Sequence, residues 1–489
     1  MKRSILTGVL SRVVAPGGVP ARSSRQTASG PSVRRRPTSE DIMQHCITRA
    51  LSVVAVAALV WLGGAASAQT KTEISFWHGL DGQAGEAVDA LVKQFNQSQS
   101  EFEVKALYKG TYTEVLAAAM AAYRQKTPPH IVQVYEVGTQ SMVLSDAIVP
   151  IYRLMQQQKM AVNWADFIET IADYYSKDGR LYSMPFNVST PILYYNKDVF
   201  KKAGLGDTPP VAWPDVEAAS RKILAAGAAK CGFTTPSPSW TILENTFPWH
   251  DQPFATNQNG YAGLDTKLLI NSDFGLMHVG AFARWQQEHI FAYGGQEGQP
   301  NSKFIEGECA MVMQSSGSIG GFKKSLTFDW GTGQLPHWGP PYPKANTILG
   351  GATLWALRGH APADYKGVAQ FMKFLIEPAQ QRWWSATTGY VPITKAAVKS
   401  LEDDSFYKQN PEQWTAMSQL LNATPTPNSQ GLRLGNYVQV RMGAIELELE
   451  NIFTGKKTVK EGLDAAVTRG NAILRQFGVT HGAAASGEI

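Results

Sequence analysis

Residues capable of chemistry run throughout this 489-residue sequence, but nowhere do they pack into a local catalytic motif. The nine histidines are scattered, with no HExxH, no HxH and no adjacent carboxylate cluster to assemble a metal site locally. No GxSxG elbow occurs, and the serines and glycines of Gln314–Gly320 (QSSGSIG) lack that spacing. No GxxxxGK[ST] loop is present, so the chain is not expected to bind ATP. The acidic runs Glu402/Asp403/Asp404 and Glu446/Glu448/Glu450 read as solvated faces rather than paired catalytic carboxylates. An exported phosphodiesterase or glycosidase, assembling its groups from distant segments, is the enzymatic alternative. Recognition chemistry is better supplied: 13 Trp, 17 Tyr and 20 Phe suit stacking on sugars or on a quaternary ammonium.

Short apolar runs alternate with amphipathic stretches from Ile74 on. Ile74–Trp77, Phe102–Tyr108 and His130–Glu136 read as strands, with helices around Ala87–Phe95 and over Thr113–Gln125. That spacing predicts α/β architecture with a doubly wound, mostly parallel sheet. Further strands are expected at Thr190–Asn196, Glu308–Ser316 and Thr353–Arg358, a helix at Trp213–Ala226, and a mainly helical chain from Tyr365 on. Turn-rich stretches near Pro185–Pro191, Leu335–Pro343 and Thr388–Pro392 are candidate crossings between two lobes. No internal repeat interrupts this body, and its length suits two domains of ordinary size.

The formal net charge of +5 is an N-terminal property. Residues 1–68 hold nine Lys/Arg and two Asp/Glu, leaving 36 basic against 38 acidic residues, so no basic face for nucleic acid is expected. Within that segment Arg49, the apolar run Ala50–Leu62 and the small residues Ala65–Ala68 form an export-signal pattern. The run is too short to span a bilayer, which takes about 20 residues. Cleavage is expected near Ala68, leaving Gln69 at the start of a periplasmic protein with no lipid-carrying cysteine. Cys46 falls in the leader. Cys231 and Cys309 are either bridged or separately buried, and no CxxC suggests zinc.

The segment Leu181–Leu205, with its Tyr-Tyr-Asn-Lys-Asp strand end and Lys-Ala-Gly-Leu turn, resembles the extracellular solute-binding proteins of family 1. Trp213–Val216, Phe304–Met311 and Ile452–Val467 carry the same likeness. An ordered set narrows it to the family's receptors for sn-glycerol-3-phosphate: Phe76–Gly82, Tyr108–Glu114, Ile131–Gln140, Gln314–Gly320, Ile348–Trp355, Thr387–Ala397 and Gly431–Arg441. The resemblance implies a two-lobed periplasmic-binding-protein fold of type II, two doubly wound sheets joined by a hinge. Its lobes would be 69–187 with 336–389, and 188–335 with 390–489. It further implies a non-enzymatic ABC-importer component without cofactor. Such a receptor, expected as a monomer, would deliver a small phosphorylated glycerol ligand to membrane permease subunits. A carbohydrate-binding receptor of the same family is the alternative.

The resemblance places ligand contacts on Tyr112, Glu136, Ser189, Trp240, Ser315, Gly351, Tyr390 and Arg441, with no metal ligand. Four hydroxyls, a peptide N–H and one guanidinium form a donor set for phosphate, and Glu136 can accept from glycerol hydroxyls. Each residue also has a plain structural reading. Arg441 could pair with Glu446, Glu448 or Glu450, the tyrosines could be core aromatics, the serines turn residues, and Gly350-Gly351 a bend. The sequence departs from the family at Ser237, where a tryptophan is expected three residues before Trp240. A missing indole leaves room beyond the phosphate, which brings in glycerophosphodiesters such as glycerophosphocholine, unless Trp249 or Trp338 fills the gap.

Overall fold

A computed structural model describes residues 71–295 and 301–485. The leader, with Cys46 and the expected cleavage near Ala68, lies outside the described residues. Strand β1 (Thr72–His78) buries alternate residues Ile74, Phe76 and His78, as a period-two strand against a core must. The helix Gly82–Ser98 returns over it, burying Ala87, Val88, Leu91, Val92 and Phe95 on one face. β2 (Phe102–Tyr108) and β3 (Ile131–Tyr135) lie parallel to β1 on either side, as two crossover helices dictate.

Four short strands follow: β4 (Ile148–Val149), the hairpin β5 (Ser176–Lys177) with β6 (Arg180–Leu181), and β7 (Met184–Ser189). Beyond them come β8 (Pro191–Asn196), β9 (Cys231–Thr234), β10 (Cys309–Ser315), β11 (Trp330–Gly333) and β12 (Gly350–Leu357). The expected mostly parallel sheet ends at β3. β12 runs antiparallel to β3 and carries β4 and β7, both antiparallel, on its other edge. The six-stranded sheet is therefore mixed, because β12 arrives from distant sequence rather than through a crossover helix. The second sheet has the order β11–β8–β10–β9, and in it β9 and β10 alone pair in parallel. β7 occupies a stretch whose composition predicts a turn-rich crossing. It contains Pro185, pairs with β12 across a register shift, and on its other side makes only an isolated bridge, Val188 with Val391, so Pro185 itself meets no ladder there, which is how a sheet tolerates proline.

The chain leaves the first sheet at Ser189 and enters the second at Pro191, so Thr190 is the whole of this first crossing. Its hydroxyl lies 2.7 Å from that of Thr347, on the returning segment, and accepts from the Gln419 amide at 3.2 Å. These buried polar groups tie the crossings together. The helix after β12, Asp364–Leu375, packs back on the first sheet, and Val459–Ala485 lies against the helices Asp273–Gln287 and Leu447–Phe453. Among the described residues no helix is long and apolar enough to cross a membrane. Cys231 and Cys309 face each other on the parallel strands β9 and β10 and form a disulfide, with Cα atoms 4.5 Å apart. That resolves the alternative the sequence left open.

Candidate functional site

All eight residues singled out by sequence line one cavity of about 340 Å³, open to solvent where the two sheets meet. Each is brought there by a local device. Tyr112 opens the helix Tyr112–Arg124, whose start is fixed by a reciprocal cap between Thr111 and Glu114. Its phenol accepts from Asn187 Nδ2 at 2.7 Å, and Asn187 Oδ1 accepts in turn from Gln133 Nε2 at 2.7 Å. The Tyr112 O–H is thereby left to donate elsewhere. Tyr390 stacks on Trp384 with 6° between the rings. Burial raises both phenols, Tyr112 well above its ordinary value, so each remains a neutral donor.

Ser189 and Gly351 lie near one another on the paired strands β7 and β12. Gly351 has φ of +88°, and a Cβ there would lie 1.8 Å from the Asn187 carbonyl oxygen. No side chain fits, so the backbone itself reaches the cavity. At Gly350 a Cβ would meet the Trp240 ring at 2.3 Å, so this glycine admits Trp240 from the second sheet's side. Ser315 ends β10, and its hydroxyl accepts from the Gly317 N–H at 3.1 Å.

Arg441 is buried, but its partners are not those expected from sequence. Its Nε donates to Glu244 Oε1 at 2.8 Å and its Nη2 to Glu136 Oε1 at 2.6 Å, with a second Nη2 contact to Glu244 Oε2. Burial opposes the charge, yet Glu244 and Glu136 hold the guanidinium well above its ordinary value. Burial raises the Glu136 carboxyl, Arg441 counters it and Glu244 reinforces it. Two π-helical turns, Ser239–Glu244 and Arg441–Glu446, pack against each other here and bring these side chains together.

The reading of Glu446/Glu448/Glu450 as a solvated face is therefore corrected. Glu446 is buried, lines the cavity and accepts from the Ser239 N–H at 2.8 Å. Glu448 is buried between Lys457 and Arg469. Glu402, Asp403 and Asp404 are exposed, as expected. Ser237 does line the cavity, and neither Trp249 nor Trp338 is among its walls. Trp249 instead donates to the Leu335 carbonyl at 3.0 Å and Trp338 to His278 at 3.0 Å, inside the core.

Sequence reasoning missed Glu244, Asp81 and Tyr108. The first carried one signal, a carboxylate directly after the apolar pair Ile242-Leu243, which demands a partner once buried. Asp81 and Tyr108 sit on the cavity wall and carried none. Some of the histidines scattered in sequence are also gathered by the fold. His130 and His360 stack at 3.8 Å beside Asp364, far along the sequence. His130 Nδ1 accepts from the Ser75 N–H at 3.1 Å, which leaves its proton on Nε2, 3.5 Å from Asp364 Oδ2. That tautomer gives His130 no lone pair for a metal, and the trio reads as a staple between β1, β3 and the segment after β12.

The family described as "Bacterial extracellular solute-binding protein" matches residues 90–415. The sn-glycerol-3-phosphate-binding periplasmic protein UgpB of Pectobacterium atrosepticum is 41% identical over 440 residues, 88% of this chain and 97% of that protein. UgpB of Escherichia coli K12 is 41% identical over 415 residues, 84% and 94% of the two chains. Among solved structures, UgpB from Mycobacterium tuberculosis in complex with glycerophosphocholine superposes with a TM-score of 0.71 at 22% identity. It covers 83% of this chain and 99% of that one. Maltose-bound MalE3 of T. maritima gives 0.68 at 18% identity, covering 82% and 99%. These two share the chain's fold.

Proposed function

Because the chain belongs to the bacterial extracellular solute-binding proteins, we propose that it is the periplasmic receptor of an ABC importer for phosphorylated glycerol compounds. Its ligands would be sn-glycerol-3-phosphate, glycerophosphodiesters, or both. The observation that carries this reading is the convergence on one cavity of hydroxyl donors, a side-chain-free peptide and a buried guanidinium from segments as distant as Tyr112 and Arg441. Relatives 41% identical over most of their length are named for glycerol-3-phosphate. The open space beside Ser237 favours room for a substituent on the phosphate.

In this reading the two sheets centre two lobes, 69–187 with 336–389 and 188–335 with 390–489, the end of β7 running two residues past the first bound, and the Thr190–Thr347–Gln419 cluster lies at the hinge. Ligand contacted from both sides stabilises the closed form, and the closed form is what the permease recognises. The protein acts as an exported monomer and catalyses nothing. Calorimetric titration of the chain from Gln69 onward tests this. Heat is expected with glycerol-3-phosphate or glycerophosphocholine, with affinity weakened at least tenfold in Tyr112→Phe and Tyr390→Phe. Binding of maltose with silence toward both phosphate ligands would replace this reading with the carbohydrate-receptor one.

A further inference from the structure

The segment Gly431–Arg441 supplies Arg441 to the cavity, but it carries a second buried arginine that is not among the cavity's walls. Arg433 is 6% exposed, and its two ends serve different sides of the molecule. Its backbone N–H donates to the Asn259 carbonyl at 2.8 Å, within the stretch between β9 and β10 of the second sheet. Gly260 permits that approach, since a Cβ there would lie 2.4 Å from the Arg433 carbonyl oxygen. The guanidinium reaches the other way. Its Nη2 hydrogens are shared among the carbonyl oxygens of Asp173, Tyr174 and Ser176, at 3.1, 2.7 and 2.5 Å, where the helix Glu169–Tyr174 ends. That helix lies between β4 and β7 of the first sheet and packs against β7. A cation on the last carbonyls of a helix satisfies acceptors that the helix itself leaves unpaired.

Two more contacts from the same segment cross in the same direction. The Asn436 N–H donates to Ser141 Oγ at 3.1 Å, just beyond β3, and Arg441 donates to Glu136 at 2.6 Å. Tyr437 meanwhile packs edge-on to Phe254, on the second sheet's side, with ring centroids 6.1 Å apart. The segment is thus seated on one side and pinned by polar contacts to the other. Beside Arg433 a cavity of about 300 Å³ interrupts the packing, between Gln140 and Lys177 on one side and Gly260 and Leu264 on the other. With that space unfilled, the guanidinium carries much of the contact there. We infer that Arg433 is a positioning residue for ligand binding. It latches the two sides together in the arrangement that gathers the cavity walls, and so raises affinity for any ligand without touching one. The inference rests on the two-lobed receptor reading above.

Opening at the hinge, which parts the two lobes, takes Asn259 and the Arg433 backbone away from the helix Glu169–Tyr174. Hydrogen bonds of this kind do not survive a shift of about an ångström. One hydrogen bond from a charged donor shifts such an equilibrium by roughly tenfold to a hundredfold. Where the gathered form is only a fraction of the ligand-free protein, the observed Kd is the intrinsic one divided by that fraction. A latch therefore changes the Kd of every ligand by one factor, whereas a residue that reads the ligand changes their ratio.

The experiment is calorimetry with glycerol-3-phosphate and glycerophosphocholine on the chain from Gln69 and on Arg433→Met, which keeps an apolar stem but loses the charge and the donors. Both Kd values should rise by about tenfold or more, by factors that agree within about threefold. Arg433→Lys should fall between the parent and Arg433→Met, because an ammonium still serves carbonyl oxygens. Hydrogen exchange on the unmodified protein needs no variant to fold. Saturation with glycerol-3-phosphate or glycerophosphocholine should slow amide exchange by about fivefold or more in 172–178 and 428–436, stretches that give the ligand cavity no wall. An arginine that merely caps a helix makes its contact alike with and without ligand, so unchanged exchange in both stretches overturns the inference. A Kd that stays within about twofold in Arg433→Met overturns it too, as does a rise confined to one of the two ligands. Silence of the unmodified protein toward both ligands removes the receptor reading itself, and the inference with it.

Discussion

Replacing Arg441 by alanine should destabilise the ligand-free protein before it says anything about binding. The guanidinium lies between Glu136, 2.6 Å from one nitrogen, and Glu244, 2.8 Å from another, with both carboxylates almost wholly buried. Arg441→Ala leaves two carboxylates facing one another without a cation, and breaking a buried pair in this way costs about 3–5 kcal/mol. The loss depends on pH in a defined direction. Burial already raises the Glu136 carboxyl, and without Arg441 nothing counters it, so its folded-state pKa lies further above the unfolded value. Folding then takes up protons, so stability is greatest at low pH and is lost as pH rises through the raised range. Urea denaturation of the chain from Gln69 should show a large midpoint drop at pH 7.5 and a smaller one at pH 5. Adding Glu136→Gln and Glu244→Gln should restore most of it, because the uncompensated charge is what costs. A loss below about 1 kcal/mol, or one equal at both pH values, would refute the reasoning.

Gly351→Ala should cost roughly 1–3 kcal/mol from the left-handed backbone alone, and more because its Cβ would overlap the Asn187 carbonyl; thermal unfolding of the variant, and loss of ligand heat, check this. Replacing Cys231 and Cys309 by alanine opens a loop of 78 residues, for which chain entropy gives an upper value of about 4.5 kcal/mol. Reductant should lower the unfolding midpoint of the parent protein and leave the double variant unmoved. Burial, with His337 adding to it, holds His250 down at about 2, and burial holds His278 at about 3. The unfolded chain binds these protons near pH 6.5, so stability should fall as pH drops below 6.5, by up to about 1.4 kcal/mol per histidine per unit. His278→Asn should flatten that slope in urea midpoints measured from pH 7 to 4.5, and an unchanged slope would show that His278 is not buried neutral.

Much of the fold was legible because period and length suffice for its first half. β1, β2 and the helix Tyr112–Arg124 stand within two residues of where alternation and helical spacing put them. What alternation could not convey was partner and direction. β12 looks like any buried apolar strand, yet it arrives antiparallel into the middle of the first sheet and turns a parallel arrangement into a mixed one. β7 was hidden by Pro185, since proline argues against a strand unless the strand has a free edge, and an edge is a property of the sheet rather than of the segment.

The site shows the same division between what a residue is and what surrounds it. Its hydroxyls and glycines could be named from motifs, and the structure brings all eight named positions to one cavity. Arg441 shows what motifs leave out. Read alone, a guanidinium near the chain end is a phosphate's natural partner, or a surface charge answering Glu446, Glu448 and Glu450. The fold does neither simply: it seats Arg441 between Glu136 and Glu244, residues 305 and 197 positions away. Its counter-charges thus come from a strand end and a π-helical turn with no sequence proximity to Arg441. A cation recognised by its type can be largely neutralised by carboxylates recognisable only by position.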